Sequence, residues 1–308
     1  MNVVSLFDGI SCAQIALTQL GLEDYRYFAS EIDKNVIALT KHNFPDTIHV
    51  GGVENLRGDT LSSVDLVCGG SPCQSFSVGG KGKEFDDPRG KLVFEFIRIV
   101  KQCQPQYFLL ENVKMSPKCA DFISEQLGVK PILVNSNVVS AQSRERLYWT
   151  NISFDVNTWR VKSPMVKDIL DETPDPSDIV SFQDVIAVER RLSKSLLLPW
   201  AGILTPAMYK KNRSFSKISD FPQGNRIYDS EHKTSTLMAN SGGRGNKANL
   251  VYHNGVIRKF SRAERERLQT IPVGYTNSMK KSHAYTAIGN GWTVEVIKNI
   301  FKNMETFQ

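Results

Sequence analysis

Val3-Val4-Ser5-Leu6-Phe7-Asp8-Gly9-Ile10-Ser11 runs directly into Cys12–Leu20, then Gly21, then Tyr25–Ala29. Val3–Phe7 is a short β-rich apolar run and reads as a strand. Ala13, Ala16, Leu17 and Leu20 recur at helical spacing, and Gly21 supplies a stop. Tyr25–Ala29 reads as a second strand, so the opening of the chain is a strand–helix–strand unit. The same alternation continues outward. Val36–His42 reads as a helix and Val64–Cys68 as a strand. Leu92–Val100 is an amphipathic helix on Leu92, Phe96 and Ile99. Tyr107–Leu110 is a strand, Ala120–Leu127 a helix, and Ile132–Val139 a further β-rich run. Strands alternating with helices predict a parallel α/β sheet with helices on both faces.

The alternation breaks after residue 150. Residues 171–178 are acidic and proline-rich and read as a surface loop. From about 200 to 257 the chain is polar and irregular, with basic and glycine-rich stretches around Lys210-Lys211 and Gly242-Gly243-Arg244-Gly245, which reads as a second, loop-rich domain. A loop at Gly289-Asn290-Gly291 and a closing helix over Thr293–Met304 follow.

Composition narrows the class. The chain has 308 residues, 41% of them hydrophobic, 23% charged and 9% aromatic, which excludes general disorder. No apolar run approaches the roughly 20 residues a bilayer span needs, and no signal peptide is visible at Met1–Ser5; no membrane partner is expected. Lys and Arg number 38 against 32 Asp and Glu, a net +6 that suits a polyanionic partner but also many proteins without one. The five cysteines (12, 68, 73, 103 and 119) form no CxxC pair. A disulfide framework or structural zinc is not expected, and a reducing cytoplasmic setting is.

In open α/β sheets ligands bind beyond the carboxyl ends of the strands. After the first strand, Phe7-Asp8-Gly9-Ile10-Ser11 forms a tight turn in which Gly9 lets the backbone approach a ligand, although an ordinary βα turn would look the same. After the second, Glu31-Ile32-Asp33 places an acid where ribose hydroxyls could be held, or merely at a helix N-terminus. After the third comes Gly69-Gly70-Ser71-Pro72-Cys73-Gln74-Ser75-Phe76-Ser77. Most free cysteines are buried and inert, but one on a proline turn between glycines is exposed by its turn and suits a nucleophile. Gly79–Lys83 is a flexible basic stretch able to close over a phosphate backbone. After the fourth, Glu111-Asn112-Val113 sets a carboxylate at a strand end, as a proton donor to a ring nitrogen or as a helix cap.

These residues resemble a known family. Gly70–Ser77 is similar to the Pro-Cys-Gln loop of the cytosine-5 DNA methyltransferases. Glu111-Asn112-Val113 is similar to their Glu-Asn-Val motif, and Gln142-Ser143-Arg144-Glu145-Arg146 to their Gln-x-Arg-x-Arg motif. Arg258-Lys259-Phe260-Ser261 with Glu264 and Arg267-Leu268-Gln269 resembles the motif after their recognition region, and Gly289-Asn290 the start of their last motif. The resemblance implies a Rossmann-like sheet that binds S-adenosylmethionine, releases S-adenosylhomocysteine and needs no metal. It implies a catalytic domain over 1–158, a target-recognition domain over 159–274 and a return to the catalytic domain over 275–308. Methyl transfer to C5 of a flipped-out cytosine in double-stranded DNA would use Cys73 as nucleophile, Glu111 as proton donor, Arg146 on the base and Arg144 in support. Phe7, Asp8, Gly9, Ile10, Glu31, Ile32, Pro72, Asn290 and Thr293 would hold the cofactor. Gln74, Ser75, Ser77, Lys81, Lys83, Arg89, Arg213, Thr236 and Arg244 would contact DNA.

Two departures stand out. Ser5 opens the first motif where the family usually has Asp. Gly52 stands where the family commonly carries the Asp that holds the adenine amino group, leaving Asn55 or a backbone carbonyl as replacements. The Cys-Phe-Thr signature of the tRNA-modifying branch is absent. A catalytically silent DNA binder is opposed by the presence of Cys73, Glu111 and Arg146. A monomer is expected, in a bacterial or phage-infected cell, either solitary or paired with a restriction endonuclease.

Overall fold

The computed structural model describes residues 1–61, 63–72, 92–159, 163–180, 187–191, 200–203, 226–239 and 249–305, with the backbone alone for 187–191 and 200–203. The chain divides into two units. The first comprises Met1–Asn135, Glu145–Arg160 and Val294–Gln308; the second comprises Ser136–Arg144 and Val161–Thr293. The sequence places the breaks at 158/159 and 274/275. In the structure the chain also leaves the first unit for nine residues at Ser136 and rejoins it for good at Val294, not at 275.

The first unit opens with β1 (Asn2–Leu6), α1 (Cys12–Gln19), β2 (Arg26–Ser30), α2 (Lys34–Asn43) and β3 (Ile48–His49). β4 (Leu66–Gly70), α3 (Leu92–Cys103), β5 (Tyr107–Val113), α4 (Pro117–Leu127) and β6 (Ile132–Asn135) follow. After β7 (Gln142–Ser143), which belongs to the second unit, come β8 (Glu145–Thr150) and, at the end of the chain, a helix over Val294–Phe301. The sheet order is β3-β2-β1-β4-β5-β8-β6. It is not wholly parallel as expected: β8 runs antiparallel to both β5 and β6, and the other six strands share one direction. Residues 136–144 are too few for the crossover helix that a parallel return demands.

The helices sit where their apolar periodicity places them. On α3, Val93, Phe96 and Ile99 are buried at helical spacing, in one cluster with Val4, Leu6, Val67 and Leu110 of the sheet. Each such side chain, fully buried, contributes about 1.5–3 kcal/mol. α4 starts earlier than its apolar pattern predicts. Ser116 caps it, accepting from the Cys119 N–H at 3.4 Å, and Pro117 occupies the first turn, where no donor is needed. Trp149 of β8 is buried, and its indole N–H donates to Ser124 Oγ at 3.0 Å.

The second unit contains a five-stranded sheet. Its strands are β9 (Ala187–Arg191), β10 (Trp200–Ile203), β11 (Arg226–Asp229), β13 (Leu250–His253) and β14 (Val256–Lys259), in the order β14-β13-β11-β10-β9. β12 (Thr234–Ser235) pairs separately with β7. The region read as irregular therefore carries regular strands. One signal for them was in plain sight: Asn254-Gly255, with φ of 47° and 81°, is the two-residue hairpin turn between β13 and β14. Three helices complete the described part of the chain: α5 (Arg262–Leu268) and α6 (Lys281–Asn290) in the second unit, and the Val294–Phe301 helix, α7, which packs on α1 in the first.

The chain folds first to one side of β1, as β2 and β3, and then to the other, as β4 and β5. Ligands bind at such a switch point. Its geometry depends on Gly69, where an added Cβ would lie 2.6 Å from the Leu6 carbonyl oxygen, a backbone atom with no freedom to yield. Gly69→Ala is expected to cost about 1–3 kcal/mol, as overpacking does, read as a lower denaturation midpoint in urea. An unchanged midpoint would show that the two strands can separate.

Candidate active site

At the end of β1 three residues in five take left-handed backbone: Phe7 (φ 55°), Gly9 (φ 57°) and Ser11 (φ 56°). Glycine does this freely; Phe7 does so at a cost of about 1–3 kcal/mol, the kind of strain found where backbone is shaped for a ligand. The turn is locked from the end of β2. Glu31 Oε2 accepts from Gly9 N–H at 2.9 Å, and Glu31 Oε1 accepts from Ile32 N–H at 2.8 Å and Asp33 N–H at 2.9 Å. An ionised carboxylate has about four acceptor positions, so three backbone bonds leave one for a ribose hydroxyl. Ile32 beside it is 76% exposed, an apolar face held out from the sheet. A nucleoside, with vicinal hydroxyls and a flat ring, fits these groups.

Two of the residues expected at the cofactor face inward. Ile10 is buried in the core. Asp8 Oδ2 accepts from Ser11 Oγ at 2.5 Å and Oδ1 from the Tyr27 hydroxyl at 2.7 Å. Asp8 thus braces the turn from behind.

Across the switch point, Ser71 and Pro72 continue from β4. Ser71 is buried and tied to β5, because Asn112 Nδ2 donates to its Oγ at 2.9 Å. Gly70 is level with Glu111 in the β4–β5 register. Glu111 is not at the end of its strand, as the sequence suggested, but within it: pairing with β8 carries β5 on to Val113. Glu111 is 8% exposed, and Arg146 Nε donates to its Oε1 at 2.9 Å. Arg146 faces Val113 in the register, two residues along from Glu111, so the arginine reaches its partner diagonally on one face of the sheet. Arg146 Nη1 also donates to the Glu145 carbonyl at 2.7 Å.

Cys73, the next residue after Pro72, lies outside the described residues, as do Gln74, Ser75, Ser77, Lys81, Lys83, Arg89, Arg213 and Arg244. Cys12, Cys68 and Cys119 are buried and Cys103 is half-buried; burial pushes the Cys68 thiol far up and raises that of Cys103. None of these four suits a nucleophile. Among the described residues no group of His, Cys, Asp or Glu is placed to hold a metal ion, and no helix is long and apolar enough to cross a membrane.

A family model described as C-5 cytosine-specific DNA methylase matches residues 1–306. The chain belongs to the C-5 cytosine-specific DNA methylases. The methylase is 29% identical over 303 residues to the orphan methyltransferase M.Rho11sI of Bacillus phage rho11s, covering 81% of this chain but only 60% of the phage protein. It is 26% identical over 325 residues to the type II methyltransferase M.HhaI of Haemophilus parahaemolyticus, covering 99% of this chain and 94% of that one. Its fold matches that of the Entamoeba histolytica methyltransferase EhMeth with a TM-score of 0.72 at 16% identity, over 98% of this chain and 97% of that one.

The remaining expected site residues of the methylase lie in the second unit. Arg144 is buried, and its guanidinium donates to the carbonyls of Leu237 (3.0 Å), Gly289 (3.3 Å) and Gly291 (3.0 Å). A guanidinium so committed to backbone carbonyls ties these segments of the second unit together. Thr293 is buried and its hydroxyl donates to Gln269 Oε1 at 2.9 Å; Gln269 Nε2 donates to the carbonyls of Ile288 and Gly291. Gln142 joins the same network through Leu268 O and Gln269 Oε1. Thr236 Oγ1 donates to Ser143 O at 2.9 Å, and Asn290, at the end of α6, is exposed. The sequence reading gave no role to Asn112, Tyr27 or Gln269. Asn112 and Gln269 sit inside the quoted motifs, but nothing local in the sequence shows Tyr27 beneath the turn.

Burial pushes the Asp8 carboxyl up to about 6 from 3.8, against the hydrogen bonds from Ser11, Ser5 and Tyr27 that pull it down. Between those values the folded chain binds a proton that the unfolded chain releases, so stability falls as pH rises from about 4 to about 6. The loss is on the order of 3 kcal/mol, at about 1.4 kcal/mol per unit. Urea denaturation across that range should show this slope in the wild type and not in Asp8→Asn; equal slopes would assign it elsewhere.

Proposed function

We propose that this chain methylates C5 of a cytosine flipped out of double-stranded DNA, at one short recognition sequence, through a covalent bond between Cys73 and C6. The Glu111–Arg146 pair, level with the end of the strand that leads into Ser71-Pro72-Cys73, carries the proposal. S-adenosylmethionine, when bound, supplies the methyl group as a sulfonium electrophile. Glu31, Ile32 and the Phe7–Gly9 turn would hold its nucleoside.

The chemistry follows from what cytosine lacks. C5 is a poor nucleophile until C6 is attacked. The Cys73 thiolate forms an S–C6 bond, and the displaced π electrons reach N3, which takes a proton from Glu111. C5 is then enamine-like and would take the methyl group that S-adenosylmethionine supplies. Loss of the C5 proton to a base re-forms the C5–C6 double bond and expels the thiolate, and N3 returns its proton. The Glu111 carboxyl also reads the N3 and N4 edge that distinguishes cytosine. Arg146 fixes that carboxyl and would contact O2. C5 is inaccessible within the stack, so the base must leave it.

Target selection is assigned to the second unit, with Thr236 near the flipped nucleotide and the basic side chains between 200 and 257 on phosphates, which makes affinity salt-dependent. Pairing with a restriction endonuclease, as in type II systems, belongs to the same reading.

Bisulfite sequencing of DNA from a methylation-free host tests the whole reading. Wild type should leave protected cytosines in one short sequence context, and Cys73→Ser should leave none while remaining soluble and folded. Protection persisting in Cys73→Ser would refute the nucleophile. No protection by soluble wild type would shift the substrate to tRNA or leave a silent DNA binder.

A further inference from the structure

Gly52 opens a 3₁₀ turn, Val53–Asn55, at the edge of the nucleoside site. A Cβ placed on Gly52 would lie 3.0 Å from Glu54 Oε2 and 3.4 Å from Ile32 Cγ2. The Glu54 carboxylate and the exposed Ile32 side chain therefore border one and the same point, the space that a side chain at position 52 would fill. Glu54 makes no hydrogen bond or ion pair among the described residues, and it is exposed.

The turn that carries it is held firmly. Arg98 donates from Nη2 to Val53 O and from Nη1 to Leu56 O, both at 2.9 Å, and its guanidinium is paired with Glu95. Ser30 Oγ donates to Gly51 O at 2.8 Å, which fastens the stretch before Gly52 to the end of β2. The backbone carbonyls expected to stand in for an acidic side chain at position 52 are engaged: Gly51 O by Ser30, and Gly52 O by the Asn55 N–H at 3.1 Å. An unpartnered carboxylate beside an exposed apolar face, next to a carboxylate that suits ribose, matches a purine bearing an exocyclic amino group.

We propose that Glu54 accepts a hydrogen bond from the 6-amino group of the cofactor's adenine, with Ile32 packed on the ring, so that Glu54 sets the preference for adenine over a 6-oxo purine. This rests on the nucleoside site assigned above. A carboxylate welcomes an amino donor and repels a carbonyl oxygen. A charged hydrogen bond contributes enough for about a 10-fold or greater difference in affinity.

Isothermal titration of the full-length chain with S-adenosylhomocysteine and with S-inosylhomocysteine, which differ only at position 6 of the purine, tests it without turnover. Wild type should bind the adenosyl compound about 10-fold more tightly or better. Glu54→Gln, whose amide can accept from an amine or donate to a carbonyl, should narrow the gap to under about 3-fold. Glu54→Ala should weaken the adenosyl compound toward the inosyl value. A wild type that does not discriminate, or a Glu54→Gln that discriminates as well as wild type, overturns the assignment of Glu54 while leaving the nucleoside site intact. A wild type that binds neither compound overturns both.

Discussion

Where β4 enters the sheet beside β1, the bare Cα of Gly69 rests against the Leu6 carbonyl, and a register of four strands is set from that contact. Leu6 lies level with Gly69, Gly70 with Glu111, and Val113 with Arg146. The Phe7–Gly9 turn, the Ser71-Pro72 exit, the Glu111 carboxyl and the Arg146 guanidinium therefore emerge at one height on one edge of the sheet. A slip of one residue between β1 and β4 would turn the side chains of one strand to its other face. The site's geometry is in this sense a property of the sheet, with the loops supplying the atoms.

The stretches that mark the family divide by physical task. Some deliver groups to the edge of the sheet: Gly9, Glu31, Pro72 and Glu111. Others satisfy polar groups that folding has removed from water. Gln142 and Arg144, Gln269 and Thr293 come from three separate places in the chain and close one buried network in the second unit. Arg258 and Glu264 form a buried ion pair whose carboxylate also receives the N–H groups of Ser261 and Asp171, and Arg267 pairs with Asp171. Unpaired, such groups are costly, and removing one member leaves the others stranded. Arg144, inside one of the quoted motifs, spends its guanidinium on backbone carbonyls in this way.

Most of the first unit was legible in the sequence because its strands are short apolar runs and its helices keep a 3.6-residue period. The strand at Glu145–Thr150 was not read, and its reversed direction follows from the short excursion before it, not from its own residues. The end of β5 was misjudged because Glu111 and Asn112 are polar residues that stay in the strand through pairing and through Ser71. In the second unit, polarity concealed strands that the Asn254-Gly255 turn could have announced. Glu54 was invisible for a different reason. A lone surface acid acquires meaning only from the space left by a glycine two residues away.

The division of the chain carries a consequence for its history and for its engineering. The first unit is assembled from three separate pieces of sequence and the second from two, so the polypeptide passes between them four times. No single cleavage yields an intact half, and a fragment that stops before Val294 strips α7 from α1. Replacing the long insert that contains β9 to β14 requires two seams, near Arg160 and near Thr293, and a graft must also accept Ser136–Arg144, whose Gln142 and Arg144 lock into the segment being exchanged. Lineages that trade this insert therefore inherit a joint to be matched as well as a surface to be chosen.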